Sequence, residues 1–287
     1  MKTVAFHTFH SRWPHALLAR FRYKATKRPK YALAYALMAG ARKNGWRVSV
    51  AGRNDAGRAD VAVFWSWVYP RAIESILASG RHVIIMERGF IQPRREWISL
   101  AVDGFNGRGK FAPAADGGER WRRHFAHHLR PWKSDGDYAL LIGQIPRDRA
   151  NPTLDGNAWA QEQTDRLRAL GLRVRYRPHP WSYSDWCPAG AELSTASLED
   201  DLAGAERAIT FNSNAAVETI LAGVPTIALD AGCIAYEMCS HSLEEALRRP
   251  DRTGWCHDMA WRQWSVDELE DGTAWAHTIR ALTPVTP

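Results

Sequence analysis

Residues 208–230, AITFNSNAAVETILAGVPTIALD, constrain the fold of this chain more than any other stretch. Residues 208–211 predict a short buried strand. Asn212, Ser213 and Asn214 then supply capping side chains ahead of a run of helix formers at 215–222. Gly223 closes that helix, Val224-Pro225 turns the chain, and 226–229 predicts a second buried strand. Strand, polar turn, short helix and strand make one βαβ unit of a parallel sheet. Such a unit carries a helix N-terminus, with unpaired backbone N–H groups and partial positive charge, to the carboxyl end of a strand, where phosphate is the usual guest. Glu218 lies about one helical turn past Asn214, within reach of the sugar hydroxyls of a nucleotide held at the cap. Polar caps also follow strands in α/β proteins that bind nothing, so this stretch alone leaves both readings open.

A second stretch narrows them. Tyr176-Arg177-Pro178-His179-Pro180 ends another predicted strand, 172–176. Parallel strands end at one edge of their sheet, so His179 and the Ser213/Asn214 cap can converge on one ligand. This pair resembles the donor-binding half of GT-B glycosyltransferases, in particular those with a His-Pro motif and a later Ser-containing cap, such as capsule-polysaccharide and polysialic-acid enzymes. The resemblance covers roughly the second half of the chain. It implies an α/β fold of two Rossmann-like domains facing across a cleft, with a nucleotide sugar held by Arg177, His179, Ser213, Asn214 and Glu218.

Length agrees with two domains: 287 residues suit two α/β units of about 140 each. The division expected is 1–135, 136–272, and a C-terminal helix at 273–287 packing back on the first domain. The longest apolar runs, 32–39 and 61–67, fall far short of the ~20 residues needed to span a bilayer. Residues 1–9 read as a strand without a signal peptide's apolar core or cleavage site, and Cys187, Cys233, Cys239 and Cys256 have no CxxC spacing. A cytoplasmic protein with reduced thiols is expected; oligomeric state is not legible.

Charge divides unevenly. Residues 1–135 hold 25 Lys/Arg against 9 Asp/Glu, whereas the remainder holds 13 against 22. A basic first half points to a polyanionic partner. Within it, Arg20, Arg22, Lys24, Lys27, Arg28 and Lys30 lie in one acid-free run interleaved with Phe21 and Tyr23. Cations and aromatics together serve phosphate neutralisation and base stacking. An ordinary solvated basic loop is the bland alternative.

The first half otherwise reads as a succession of βα units. Strands are predicted at 2–9, 47–51, 60–65 and 81–86, with helices at 31–44 and 69–78. His7 and His10 sit at the end of the first strand. Glu87 follows the fourth strand and opens a long stretch, 87–111, rich in Arg, Gly and aromatic residues, which reads as an irregular functional segment. That segment resembles phage-encoded glycosyltransferases that modify 5-hydroxymethylated bases. The likeness implies a double-stranded DNA acceptor with modified pyrimidines, contacted by Arg12, the basic run from Arg20 to Lys30, Arg94, Arg95 and Arg108.

Beyond a polar helix at 119–129, Tyr138–Ile142 predicts the first strand of the second half, followed by Gly143, Gln144 and Arg147 as further donor contacts on the GT-B pattern. A helix is expected at 157–170, a small one at 197–202, acidic surface helices at 240–249 and 265–271, and packing roles for Trp255, Trp261, Trp264 and Trp275.

Glycosyl transfer needs a held nucleotide sugar, positive charge or dipoles at the departing phosphate and, in inverting enzymes, a base for the acceptor hydroxyl. Glu87 is the expected base, with His7, His10 and Asp103 as alternates. GxGxxG, Walker, GxSxG and HExxH motifs are all missing, which argues against dehydrogenase, P-loop, serine-hydrolase and zincin chemistry. No protein-bound metal is expected, with a divalent ion on the diphosphate left open. The expectation is a hexosyltransferase moving glucose from UDP-glucose to 5-hydroxymethylcytosine or its uracil counterpart in bacteriophage DNA. The alternatives are a capsule-type polysaccharide glycosyltransferase using a CMP- or UDP-sugar, and a non-enzymatic DNA-binding module.

Overall fold

The computed structural model describes residues 1–7, 29–52, 58–145, 151–182 and 185–282, the side chains of Pro29 and Tyr31 excepted. The chain divides into two compact units: Met1–Phe105, Gly109–Arg120 and His257–Pro287 form the first, and Asn106–Arg108 with Trp121–Cys256 the second.

The first unit runs β1 (Thr3–Phe6), α1 (Pro29–Lys43), β2 (Arg47–Val50), β3 (Val61–Trp65), α2 (Pro70–Ala78), β4 (His82–Arg88) and β5 (Ile98–Val102). Its sheet has the order β2-β1-β3-β4-β5, with β5 antiparallel to β4 and the other pairs parallel. Alternation along the strands gives each face its own core. Val4, Phe6, Val63, Ile84 and Met86 meet Leu33 and Leu37 of α1, while Phe64, Val83 and Ile85 meet Ile73 and Ile76 of α2. The order reverses direction between β1 and β3, the switch point at which open α/β sheets bind ligands.

Two expectations change here. β4 continues through Glu87 and Arg88, and the stretch expected to be irregular contains β5, paired Glu87↔Ser99 and Arg88↔Ile98. The apolar ISLAV run, every residue of it buried, had been obscured by its Arg- and Gly-rich surroundings.

The second unit follows α3 (Glu119–His124) and comprises β6 (Tyr138–Ile142), α4 (Gly156–Ala169), β7 (Val174–Arg177), β8 (Glu192–Leu193), α5 (Leu198–Gly204), β9 (Ala205–Thr210), α6 (Ala215–Leu221) and β10 (Thr226–Ala228). All five strands are parallel, in the order β10-β9-β6-β7-β8. Counted along the unit this is the dinucleotide-binding order, 3-2-1-4-5, whose switch point lies between β6 and β9. Residues 240–249, expected to be helical, carry no helix; Ser240 Oγ instead takes the Arg248 N–H at 3.0 Å.

The chain returns to the first unit through α7 (Thr253–Trp261), β11 (Gln263–Trp264), α8 (Val266–Asp271) and α9 (Thr273–Thr278). β11 adds antiparallel to β5, a strand that sequence reading missed because two residues carry no periodicity. Ser265 and Glu268 form a capping box on α8. Arg120, 9% exposed, locks the return: it pairs with Glu268, donates to Ala260 O and Gln263 O, and lies 4.8 Å from the Trp264 ring centroid. Trp264 and Trp275 are buried within this core.

Candidate functional site

In the second unit, register puts Arg177, Ile142 and Thr210 in one row across β7, β6 and β9. The segments that follow these residues therefore leave one edge of the sheet together. Gly143 and Gln144 follow β6, Pro178 and His179 follow β7, and residues 211–214 follow β9. Adjacent strands lie about 4.8 Å apart, so His179 and the Ser213–Asn214 turn flank β6 at ligand-sized separation.

Gln144 crosses the switch point, donating from Nε2 to Thr210 Oγ1 at 3.0 Å. Thr210 Oγ1 also accepts the Ser213 N–H at 3.1 Å, so a buried hydroxyl ties two strand ends to the turn. Gly143 is required beside it, because a Cβ there would stand 2.7 Å from the Tyr176 hydroxyl and 3.2 Å from Arg177 O.

His179 Nδ1 accepts the Trp181 N–H at 3.1 Å. A ring nitrogen that accepts carries no hydrogen, so the neutral imidazole holds its proton on Nε2, the form that donates to a phosphate oxygen.

The cap is built differently from the sequence expectation. Ser213 does the capping: its Oγ accepts the Ala215 N–H at 3.2 Å and its carbonyl the Ala216 N–H at 3.1 Å. Two amides expected to be open to an anion are thus satisfied internally. Asn214 makes no capping bond, and its Oδ1 is shielded without a donor among the described residues. Glu218 lies half-buried on α6.

Behind the turn lies a network that the sequence did not reveal. Asn151 and Asn212 exchange amide hydrogen bonds of 3.0 and 2.8 Å. Asn212 Nδ2 also donates to Asp230 Oδ1 at 2.8 Å, and Arg108 Nη2 meets both Asp230 oxygens at 2.9 Å. Arg108, expected on DNA, is thereby paired within the second unit. The one available signal was Asp230 itself, an acid placed just past a buried strand.

Arg177 also departs from expectation. Its guanidinium donates to Ala196 O at 2.7 Å and pairs at 2.8 Å with Asp201, which is fully buried and also accepts from Ser194 Oγ. Alternation along β7 directs Arg177 to the face covered by α5, and a buried carboxylate demands a cation there.

In the first unit, Glu87 is half-buried on the face it shares with Val83 and Ile85. The neighbouring arginines donate to carbonyls: Arg88 to Arg95 O and Arg94 to Gly89 O. His7 occupies the β1/β3 switch point but is 1% exposed, stacked on Phe64 at 4.4 Å, with Nδ1 donating to Gly52 O. That geometry suits holding the backbone at 51–52. Asp103 lies at the opposite edge of the sheet, because β5 runs antiparallel and returns it to the start of β4, where it binds His82 Nδ1, Lys110 and the Val83 N–H. Asp103 is thus removed from the carboxyl edge. Arg95 is exposed, and Lys30 Nζ stands 5.4 Å from the Trp65 ring centroid. Arg12, Arg20, Arg22, Lys24, Lys27, Arg28, His10 and Arg147 lie outside the described residues.

Among the described residues, no cluster of three or more His, Cys, Asp or Glu side chains could hold a metal, and no helix is long and apolar enough to cross a membrane.

No protein-family model matches the chain, and no curated protein matches it. Solved structures do. The β-Kdo 2,7 transferase of Thermosulfurimonas dismutans KpsC aligns with a TM-score of 0.55 at 15% identity, over 96% of this chain and 99% of that one. The β-Kdo 2,4 transferase of the same organism's KpsC aligns with a TM-score of 0.55 at 12% identity, over 90% of each chain. At these identities the likeness establishes architecture. This chain has the GT-B type of fold, an α/β protein of two Rossmann-like units.

Proposed function

We propose that the protein is a glycosyltransferase that moves a sugar from a nucleotide-activated donor to a saccharide acceptor. The observation that carries this reading is the shared edge in the second unit, where His179 and the Ser213–Asn214 turn flank the β6/β9 switch point. His179 Nε2–H and Ser213 would hold the phosphate, Asn214 Oδ1 would accept from the nucleoside, and Glu218 would bind its ribose. Gly143 and Gln144 shape the floor. Glu87 is the assigned base for the acceptor hydroxyl, being half-buried at the carboxyl end of β4.

A saccharide acceptor is preferred to DNA on two grounds. The two structures aligned above are Kdo transferases, and two of the arginines expected on DNA, Arg94 and Arg108, are bonded within their own units. A CMP- or UDP-sugar donor is the corresponding expectation.

The test incubates the purified protein with CMP-Kdo or UDP-glucose, each offered with an acidic oligosaccharide or with hydroxymethylated duplex DNA, and follows nucleotide release and product mass. Sugar added to the oligosaccharide supports the reading. Transfer to DNA alone would replace the acceptor assignment, and absence of nucleotide binding would remove the donor assignment.

A further inference from the structure

The first unit contains a cationic feature that neither its core nor the assigned base explains. Three elements contribute to it: Lys30 from the first turn of α1, Trp65 from the end of β3 and Arg88 from the end of β4. Lys30 Nζ lies 5.4 Å, and the Arg88 guanidinium carbon 5.7 Å, from the centroid of the Trp65 ring. Trp65 and Arg88 share the sheet face covered by α1, because Val61, Val63 and Trp65 alternate to it along β3, as do Ile84, Met86 and Arg88 along β4. The cluster therefore lies at the carboxyl edge of the sheet, where α1 begins.

Its charge is uncompensated among the described residues. Among the described residues neither Lys30 nor Arg88 forms an ion pair, and the one hydrogen bond of the Arg88 guanidinium goes to a carbonyl, Arg95 O, at 3.1 Å. Arg95 adds a third positive charge nearby. Burial, and then that neighbouring charge, hold Arg88 below the ordinary value for a guanidinium. The first turn of α1 carries no acid, and its partial positive charge has the same sign. Cation–aromatic contact is weak at exposed sites, which does not explain why like charges are gathered around one ring. A bound anion does. The half-buried indole adds apolar surface suited to the C–H face of a sugar.

We infer that Lys30, Trp65 and Arg88 form an acceptor subsite for the anionic group, carboxylate or phosphate, of an acidic saccharide. The assignment rests on the glycosyltransferase reading for its saccharide, while the anion preference stands on the cluster itself.

The experiment is isothermal titration of the full chain at low ionic strength. The probes are trigalacturonate, its carboxyl-reduced neutral trisaccharide, mannose 6-phosphate and a short duplex oligonucleotide, with CMP and UMP titrated separately. Trigalacturonate or mannose 6-phosphate should bind about tenfold or more tighter than the neutral sugar, the tighter of the two identifying the source of the anion. Lys30→Gln and Arg88→Gln should each weaken that binding about tenfold and leave nucleotide binding unchanged, and Arg88→Lys should restore part of it. Equal affinity for the neutral trisaccharide, or unaltered binding by both Gln variants, overturns the subsite. Duplex binding through Lys30 and Arg88 that exceeds both acidic sugars overturns the saccharide assignment. Should Arg88→Gln fail to fold, Lys30→Gln decides, since that side chain is exposed. Nucleotide binding lost with acidic-sugar binding kept would strike the donor site and leave this subsite standing.

Discussion

Asn151 and Asn212 hold each other by two reciprocal amide hydrogen bonds, 3.0 and 2.8 Å, and bury almost completely. Through Asp230 and Arg108 this pair fixes the turn that presents Ser213 and Asn214. Asn212→Ala leaves Asn151 and Asp230 each short of a partner, at a cost of about 1–3 kcal/mol. The urea midpoint should fall accordingly and nucleotide affinity should fall with it. A stable variant with unaltered nucleotide affinity would separate the network from the site.

His179→Ala removes the proposed phosphate donor. Loss of one preorganised donor at developing charge lowers kcat by about 10²–10³, and circular dichroism should show the fold intact. Full turnover would exclude His179 from the donor site.

Glu87→Gln tests the base separately. Turnover should drop by about 10²–10⁴ while nucleotide binding, measured by titration, is unaffected. Retained activity would place the base elsewhere and leave the fold untouched.

The Arg120–Glu268 pair sets an acid limit on stability. Burial pushes the Glu268 carboxyl up, but the Arg120 hydrogen bond and charge, with the Ser265 bonds, outweigh it and leave the group below its ordinary 4.5. A depressed carboxylate contributes stability above its unfolded value and loses it as pH falls through the folded one. Wild-type stability should therefore decline below pH 4.5, and Glu268→Gln should flatten that decline. Arg120→Met strands Glu268 and should cost about 3 kcal/mol or more at neutral pH. Identical acid profiles for Glu268→Gln and wild type would refute the linkage.

Gly143→Ala drives a methyl group toward the Tyr176 hydroxyl and Arg177 O. Overpacking of this kind costs about 1–3 kcal/mol, and Tyr176→Phe in the same chain should recover part of it. Additive effects of the two changes, measured by denaturant titration, would show that the clash is not the cause.

Local pattern determined much of this protein. The βαβ unit read at 208–229, the strand read at 172–176 and the parallel α/β class were legible, with ends shifted by one to three residues, because each depends on residues close in sequence: apolar runs, a polar turn, glycine and proline at strand and helix ends. Partners far apart in sequence decided the rest. Whether Arg177 faces ligand or Asp201 depends on which face of β7 meets α5, and whether Arg108 meets DNA or Asp230 depends on a contact across 122 residues. Asp103, expected as an alternate base within an irregular segment, is carried by the antiparallel course of β5 to the far edge of the sheet. Composition marks a side chain as chemically able; direction and register, which only packing sets, determine what it touches.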